Sequence, residues 1–145
     1  MNIKTAYMGE ISINPSHILS FEHGIPGFED EKSFIMLPVE ENSIFQVLQS
    51  VKTEGLAFII TSPYAVIANY NFNLDEATVH ALEIKDEKEV AVFGIVSLKD
   101  KLENSTINLK APVVLNTVNN KAKQVIVDND RYEIRHKLSL ESEMG

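Results

Sequence analysis

Apolar and polar residues alternate over short stretches through most of this 145-residue chain, and that pattern is typical of β-strands. Six segments rich in β-branched and aromatic residues predict the clearest strands: residues 35–39, 44–51, 56–61, 90–98, 113–117 and 124–127. Residues 3–8, 10–13 and 18–21 predict weaker strands. Asn14-Pro15 and Asn119-Asn120 are expected to form turns.

The segment 90–98 is apolar on both of its alternating faces, which favours a central strand covered on two sides. Gly94 stands at its middle. A glycine there predicts a bulge or a sharp bend of the kind that barrels need where they curl.

One segment has the period of a helix instead. Its apolar or small positions recur at three- and four-residue spacing, at Leu74, Ala77, Thr78, Ala81 and Leu82. Asn73 or Asp75 is expected to cap its start. The opposite face of such a helix presents Asp75, Glu76, Val79, His80 and Glu83.

Many short strands and one short helix predict a mainly β protein, a single-domain antiparallel β-barrel-like fold. Residues 1–140 are expected to form this domain, and residues 141–145 a flexible polar tail.

The net charge of the chain indicates which classes of partner it can bind. Thirteen Lys and Arg stand against 21 Asp and Glu, a net charge of −8, and there is no basic run. Nucleic acids and anionic membranes both attract Lys and Arg, so we expect the chain to bind neither. An acidic surface suits a basic protein partner, or solubility alone.

Candidate chemistry is sparse. The chain has no Cys, its four His show no metal-ligand spacing, and no phosphate-binding glycine loop or nucleophile elbow is present. Acidic clusters occur at residues 29–31, 86–89 and 128–130, but acids in turns are usually solvated. We therefore expect no enzyme, metal or cofactor. No apolar leader or spanning segment is visible, which favours a cytoplasmic protein.

The segment Phe21-Glu22-His23-Gly24-Ile25-Pro26-Gly27-Phe28-Glu29 is the most unusual local feature. Pro26-Gly27 suits the centre of a type II turn, which would hold Ile25 and Phe28 close together. Two interpretations stay open: both side chains plug the end of a barrel, or they form a rigid apolar knob for a partner.

Four blocks in order resemble the FliW family of flagellar assembly factors. They are Phe21-x-x-Gly24-Ile25-Pro26-Gly27-Phe28-Glu29, Phe45-x-x-Leu48-Gln49-Ser50, the segment 70–82, and Asn108-Leu109-x-Ala111-Pro112-Val113-Val114-Leu115-Asn116. Gln124-Val125-Ile126 and Tyr132-x-x-Arg135 close the resemblance, which extends from Ile3 to Leu138.

The resemblance implies a compact β-barrel-like protein without cofactors that binds two proteins in turn. One is CsrA, a small dimeric RNA-binding regulator that represses flagellin translation. The other is flagellin, which occupies the factor until flagellin is exported. We expect the free protein to be a monomer. The alternatives are an export chaperone for flagellin with regulation secondary, and a β-barrel hydrolase.

Candidate partner-binding residues are Ile25, Phe28, Asp75, Glu76, Glu83, Asp86 and Glu87. A second set belongs to the shared blocks and is as suited to holding turns as to touching partners: Gly24, Pro26, Gly27, Leu48, Gln49, Ser50, Asn108, Leu109, Ala111 and Pro112.

Overall fold

The computed structural model describes residues 1–40 and 43–138, except for the side chain of Leu102. The strands within them are β1 (Asn2–Thr5), β2 (Gly9–Ser12), β3 (Leu19–Ser20), β4 (Ser33–Pro38), β5 (Phe45–Ser50), β6 (Ala57–Thr61), β7 (Val90–Ser97), β8 (Thr106–Ile107), β9 (Val113–Asn116), β10 (Ala122–Gln124) and β11 (His136–Lys137). The helix α1 spans Glu76–Ala81, and short 3₁₀ turns span Pro15–His17, Pro63–Ala65, Glu87–Glu89 and Leu102–Asn104.

The larger sheet curls until its two ends meet. Its main path runs β10-β9-β7-β6-β5-β4-β3, and every neighbouring pair of strands in it is antiparallel. A parallel bridge between Ser20 and Lys121 joins the two ends, and the Ser20 amide donates to the Asn120 carbonyl at 2.8 Å. The predicted barrel-like, mainly β fold is confirmed.

Gly94 marks the place where β7 changes partner along one of its edges. Residues Val90 to Phe93 pair with β9, whereas Val96 and Ser97 pair with β8. A Cβ atom on Gly94 would lie 2.5 Å from Cδ1 of Ile107, a fully buried side chain. Glycine thus leaves room for a β8 side chain that packs directly over this point of β7, and a larger residue would displace Ile107.

The alternation of side chains separates an inner core from outer clusters. Phe34, Leu48, Ile60 and Val113 point inward, where they pack with the buried Phe21. Their chain neighbours point outward and are covered by other elements. The β1–β2 hairpin covers an outer cluster that contains Ile35, Leu37 and Val47, and the end of α1 covers Val114 through Leu82.

Each predicted strand overlaps an observed one, but the segment 124–127 shares only Gln124 with β10, and β8 and β11 were not predicted. The predicted strand 3–8 ends at Thr5, because Thr5 Oγ1 donates to the Gly9 carbonyl and accepts from the Met8 amide, which closes a turn. The predicted strand 124–127 is observed as β10, Ala122–Gln124. The ladder ends there because the opposing chain reaches Pro112, which has no amide to donate; its carbonyl still accepts from Val125.

The predicted helix is shorter, and its faces differ from the expectation. Asp75 is the N-cap and Leu82 the C-cap, so Leu74 lies outside the helix. Ala77 is exposed and Val79 half-buried, the reverse of the prediction, because the buried Thr78 and Leu82 face the barrel and Val79, three residues before Leu82, lies on the same side. The predicted tail, residues 141–145, lies outside the described residues.

Gln49 fastens the β1–β2 hairpin to the barrel. Its side chain is fully buried and its Oε1 accepts from the Ala6 amide at 2.9 Å. Its Nε2 lies within hydrogen-bonding distance of carbonyl oxygens in the β5–β6 turn, of which Ser50 is the nearest at 3.0 Å. One amide thus satisfies backbone groups from two separate segments.

Replacing Gln49 by Leu should lower the free energy of unfolding by about 2–4 kcal/mol, because the Ala6 amide and the turn carbonyls lose the fully buried side chain that partners them. Urea denaturation measures this. Gln46→Leu on the same strand is the matched control and should cost less than about 1 kcal/mol, since Gln46 is half-buried outside this network. Equal effects of the two variants would contradict the assigned role.

Candidate partner-binding surfaces

The segment 21–29 forms the turn expected of it. Ile25 and Phe28 are bridged, with the Phe28 amide donating to the Ile25 carbonyl at 2.6 Å and the Ile25 amide to the Phe28 carbonyl at 3.4 Å. Gly27 has φ +91°, as position i+2 of a type II turn requires. Gly24 also has positive φ, +67°.

The structure separates the two apolar residues of this turn. Ile25 is 2% exposed and belongs to the barrel interior. Phe28 is 42% exposed and packs edge-on against Phe58, with ring centroids 5.6 Å apart. Ile25 therefore packs in the core, in line with the first interpretation, whereas Phe28 keeps part of its ring exposed.

Most residues of the shared blocks are buried or hydrogen-bonded within the protein. Leu48, Gln49, Ser50 and Leu109 are buried, and Ser50 Oγ donates to Glu31 Oε1 at 2.5 Å. Hydrogen bonds from Ser50 and Thr53 hold the pKa of the Glu31 carboxyl below its usual range. These residues fix strands and turns.

The block at residues 108–112 acts in the same way. Asn108 Oδ1 accepts from the amides of Lys110 and Ala111 at 3.0 and 2.9 Å, which shapes the loop before β9. The Leu109 carbonyl accepts from Tyr70 Oη at 2.7 Å, and burial raises the pKa of the Tyr70 phenol. Ala111 and Pro112 are also buried.

Some of the acidic candidates around α1 form hydrogen bonds or ion pairs within the protein, and we call these engaged. The others form none among the described residues, and we call them free. Asp75 caps the helix by accepting from the Thr78 amide at 2.7 Å, and hydrogen bonding from Thr78 lowers its pKa. Asp86 accepts from the Lys88 amide at 3.0 Å in a capping box with Glu89. Both are exposed but committed to local backbone.

Glu83 is engaged differently. It follows the helix with φ +54°, and its carboxylate forms an ion pair with Lys121 that lowers the pKa of Glu83. The expectation that Asp75, Glu76 and Glu83 share one helical face is wrong, because Asp75 and Glu83 lie beyond the two ends of α1. Within residues 1–40 and 43–138, Glu76 and Glu87 make no hydrogen bond or ion pair through their side chains.

Two adjoining grooves run past these acids. They share an apolar floor of Leu74, Val79 and Ile84, and their volumes are about 500 and 730 Å³. Asp86 and Glu87 line one groove, Glu76 and Glu83 the other. We call the pair the α1 groove. Sequence reasoning missed its floor because Val79 was assigned to the polar face of the helix.

A third groove, of about 540 Å³, is lined almost wholly by apolar residues. Tyr7, Val39 and Leu98 contribute its most exposed side chains, at 64%, 42% and 47%. These residues come from three distant segments, so no local sequence pattern could identify the groove.

The part of the chain that the structure describes holds no cluster of three His, Asp or Glu placed to bind a metal ion. Among the same residues, no helix has the length and apolar content to cross a membrane.

These observations define a class of protein: a small antiparallel β-barrel whose candidate sites are open surface grooves. The chain belongs to the FliW family of flagellar assembly factors, since the family model described as FliW protein matches residues 2–138. This is a family of assembly factors and not a known enzyme family.

Similar proteins extend the match over almost the whole chain. The flagellar assembly factor FliW of Bacillus velezensis is 48% identical over 136 residues, covering 94% of this chain and 95% of that protein. The FliW of Bacillus subtilis is 44% identical, covering 98% and 99%. A crystal structure of the flagellar assembly factor FliW superposes with a TM-score of 0.90 at 38% identity, covering 97% and 99%.

The glycines of the 21–29 turn predict a graded series. A Cβ on Gly24 would lie 2.5 Å from the Phe28 carbonyl oxygen, whereas one on Gly27 would meet no atom within 4 Å. Gly27→Ala should therefore cost about 1 kcal/mol of stability from positive φ alone, and Gly24→Ala more than about 3 kcal/mol.

Chemical denaturation of the two variants tests this order. Gly55→Ala is the control, because Gly55 has open space and no positive φ; it should change stability by less than about 0.5 kcal/mol. A Gly24→Ala variant as stable as Gly27→Ala would contradict the close backbone approach.

Proposed function

We propose that this protein is a cytoplasmic, stoichiometric antagonist of CsrA that exchanges this partner for flagellin. Flagellin that has not been exported occupies the protein and leaves CsrA free to repress flagellin mRNA. Export of flagellin releases the protein to bind CsrA. Membership of the FliW family supports a role in flagellar assembly, and the resemblance on which the partners rest extends over the same residues.

The observation that carries the CsrA part of the proposal is the α1 groove. It offers four carboxylates around an apolar floor, and two of them, Glu76 and Glu87, are free of internal partners among the described residues. An RNA-binding regulator must present Lys and Arg for phosphates. Basic side chains at the rim and an apolar side chain on the floor of the groove form a complementary arrangement.

Engaged and free acids have different roles in this proposal. Asp75 and Asp86 shape the groove through their caps, and a partner that pulled on either would oppose a local hydrogen bond. Glu76 and Glu87 have no such bond to lose. They are the residues on which we place the electrostatic attraction.

Antagonism without RNA binding is the first expected outcome. In a gel-shift assay with flagellin leader RNA, the protein alone should give no complex, because its net charge is −8. Added to a CsrA–RNA complex, it should release RNA or block its loading at near one-to-one stoichiometry with CsrA. Direct, salt-sensitive binding of RNA by this protein would contradict the proposal.

Charge reversal at the two free acids tests the surface. Glu76→Lys with Glu87→Lys should slow association with CsrA about ten-fold or more at low salt, with a smaller change in dissociation, because rim charges act mainly on the on-rate. The effect should shrink at physiological salt, where the Debye length is about 8 Å. Biosensor or stopped-flow kinetics measure both rates.

The matched control reverses two exposed acids elsewhere, Glu10→Lys with Glu54→Lys, and changes the net charge equally. Its on-rate should lie much closer to that of the unmodified protein. If both double variants slow association alike, net charge is responsible and the α1 groove is not the CsrA surface. Flagellin binding measured with the same variants shows whether the two partners use one surface.

A further inference from the structure

A pocket of about 400 Å³ lies on the far side of Lys121 from the α1 groove, and its charge opposes that of the protein as a whole. Lys32, Lys121 and Lys123 line it, together with His23. Glu22 is the carboxylate on its lining. Three of the 13 cationic side chains of a chain with net charge −8 thus meet around one concavity.

Rigid backbone positions these lysines although they are distant in sequence. The Lys32 carbonyl accepts from the Phe21 amide at 2.9 Å, which fixes Lys32 beside the segment 20–24. Lys123 lies on β10 opposite Val114, and the Lys121 carbonyl accepts from the Asn116 amide at 2.8 Å. The pocket therefore sits at the seam where β3 meets β10, and its shape depends on barrel closure.

The lysines differ in how far their charges are compensated. Lys121 is paired with Glu83, which raises its pKa. Lys32 and Lys123 form no ion pair within residues 1–40 and 43–138. Lys123 still acts electrostatically on Asp75 and helps to lower the pKa of that carboxyl, so its charge is partly compensated. Both ammonium groups lie next to an apolar floor that includes Leu82 and Ala122.

The chemistry of the donors favours carboxylates over phosphate. Phosphate sites in proteins use converging backbone amides as well as charge. Here the Ser20 amide is committed to the Asn120 carbonyl and the Gly24 amide to the Phe21 carbonyl. The amides of Glu22 and His23 form no backbone hydrogen bond among the described residues, so the preference for carboxylates rests on the lysines. Their flexible ammonium groups act as separate point charges and suit carboxylates on a flexible chain.

We propose that this seam pocket binds an acidic segment of a partner protein, with carboxylates at Lys32 and Lys123 and an apolar side chain on the floor formed by Leu82 and Ala122. This surface adjoins the α1 groove, with which it shares Ala81 and Lys121, but lysines outnumber carboxylates on its lining, whereas carboxylates outnumber lysines in the groove. The inference does not depend on CsrA binding.

The capped peptide acetyl-Leu-Glu-Leu-Glu-amide is the probe, titrated into the full-length, ¹⁵N-labelled protein at low salt. Amide signals of residues 20–24, 32 and 121–123 should shift and saturate together. Acetyl-Leu-Gln-Leu-Gln-amide should leave them unchanged. An acidic peptide that shifts no signal in these segments, or a Gln peptide that binds equally well, overturns the proposal.

Lys32→Gln with Lys123→Gln should weaken binding about five-fold, since two exposed ion pairs contribute roughly 0.2–1 kcal/mol each. Lys4→Gln with Lys137→Gln is the charge-matched control on exposed positions away from the pocket and should change the affinity less than two-fold. Thermal melts accompany both variants. Equal weakening by the two pairs would assign the effect to net charge and refute the pocket.

Inorganic phosphate is the second ligand tested on the same signals. It should shift them weakly and should not displace the acidic peptide at equal concentration. Displacement by phosphate would show a general anion site and overturn the assignment to a peptide. The titration of the unmodified protein decides the proposal even if a lysine variant folds poorly.

Discussion

The fold depends on one edge of the strand β7, which pairs with two different strands. The strand β7 pairs with β9 over its first half and with β8 over its second, and the change occurs at Gly94, where Ile107 packs in the space that a side chain would fill. The first half leads toward β10 and the closing bridge with β3. The second half pairs with β8, which in turn pairs with β11, and both of these strands lie off that path. Barrel closure and the extra strands thus meet at a position where any Cβ would displace the Ile107 side chain.

Closure in turn fixes the loops that carry the candidate surfaces. Asn116, at the end of β9, is buried and donates from Nδ2 to the Leu82 carbonyl at 2.8 Å, while its Oδ1 accepts from the Val118 amide. Asn119 donates to the same Leu82 carbonyl at 3.0 Å. The C-terminal end of α1 is therefore held by the β9–β10 turn. A helix of six residues has little stability of its own, so this tie and the burial of Leu82 keep it in place.

The sequence was sufficient for the longer strands because their signal is local, whereas the two-residue strands β8 and β11 carry no such signal. Alternation of apolar residues identified the segments that became β4 to β7 and β9, and the Pro26-Gly27 turn followed from the φ preferences of two residues. The helix was harder. Leu74 fits an apolar helical stripe, but Asp75 captures the Thr78 amide and starts the helix after it. Capping and apolar periodicity competed here, and the hydrogen bond of the cap determined the boundary.

Surface properties were least accessible to sequence because they arise from distant segments. Five acids lie within residues 75–87, and their charge alone does not distinguish them: Asp75, Glu76, Glu83, Asp86 and Glu87. Their different states follow from partners that the fold supplies: a helix amide for Asp75, a 3₁₀ turn for Asp86, and Lys121, which is 38 residues away, for Glu83. Net charge likewise does not predict the seam pocket, since three lysines line one pocket in a chain of net charge −8. The number of charges in a segment therefore gives an upper limit on what a partner can use, and backbone geometry determines how many remain free.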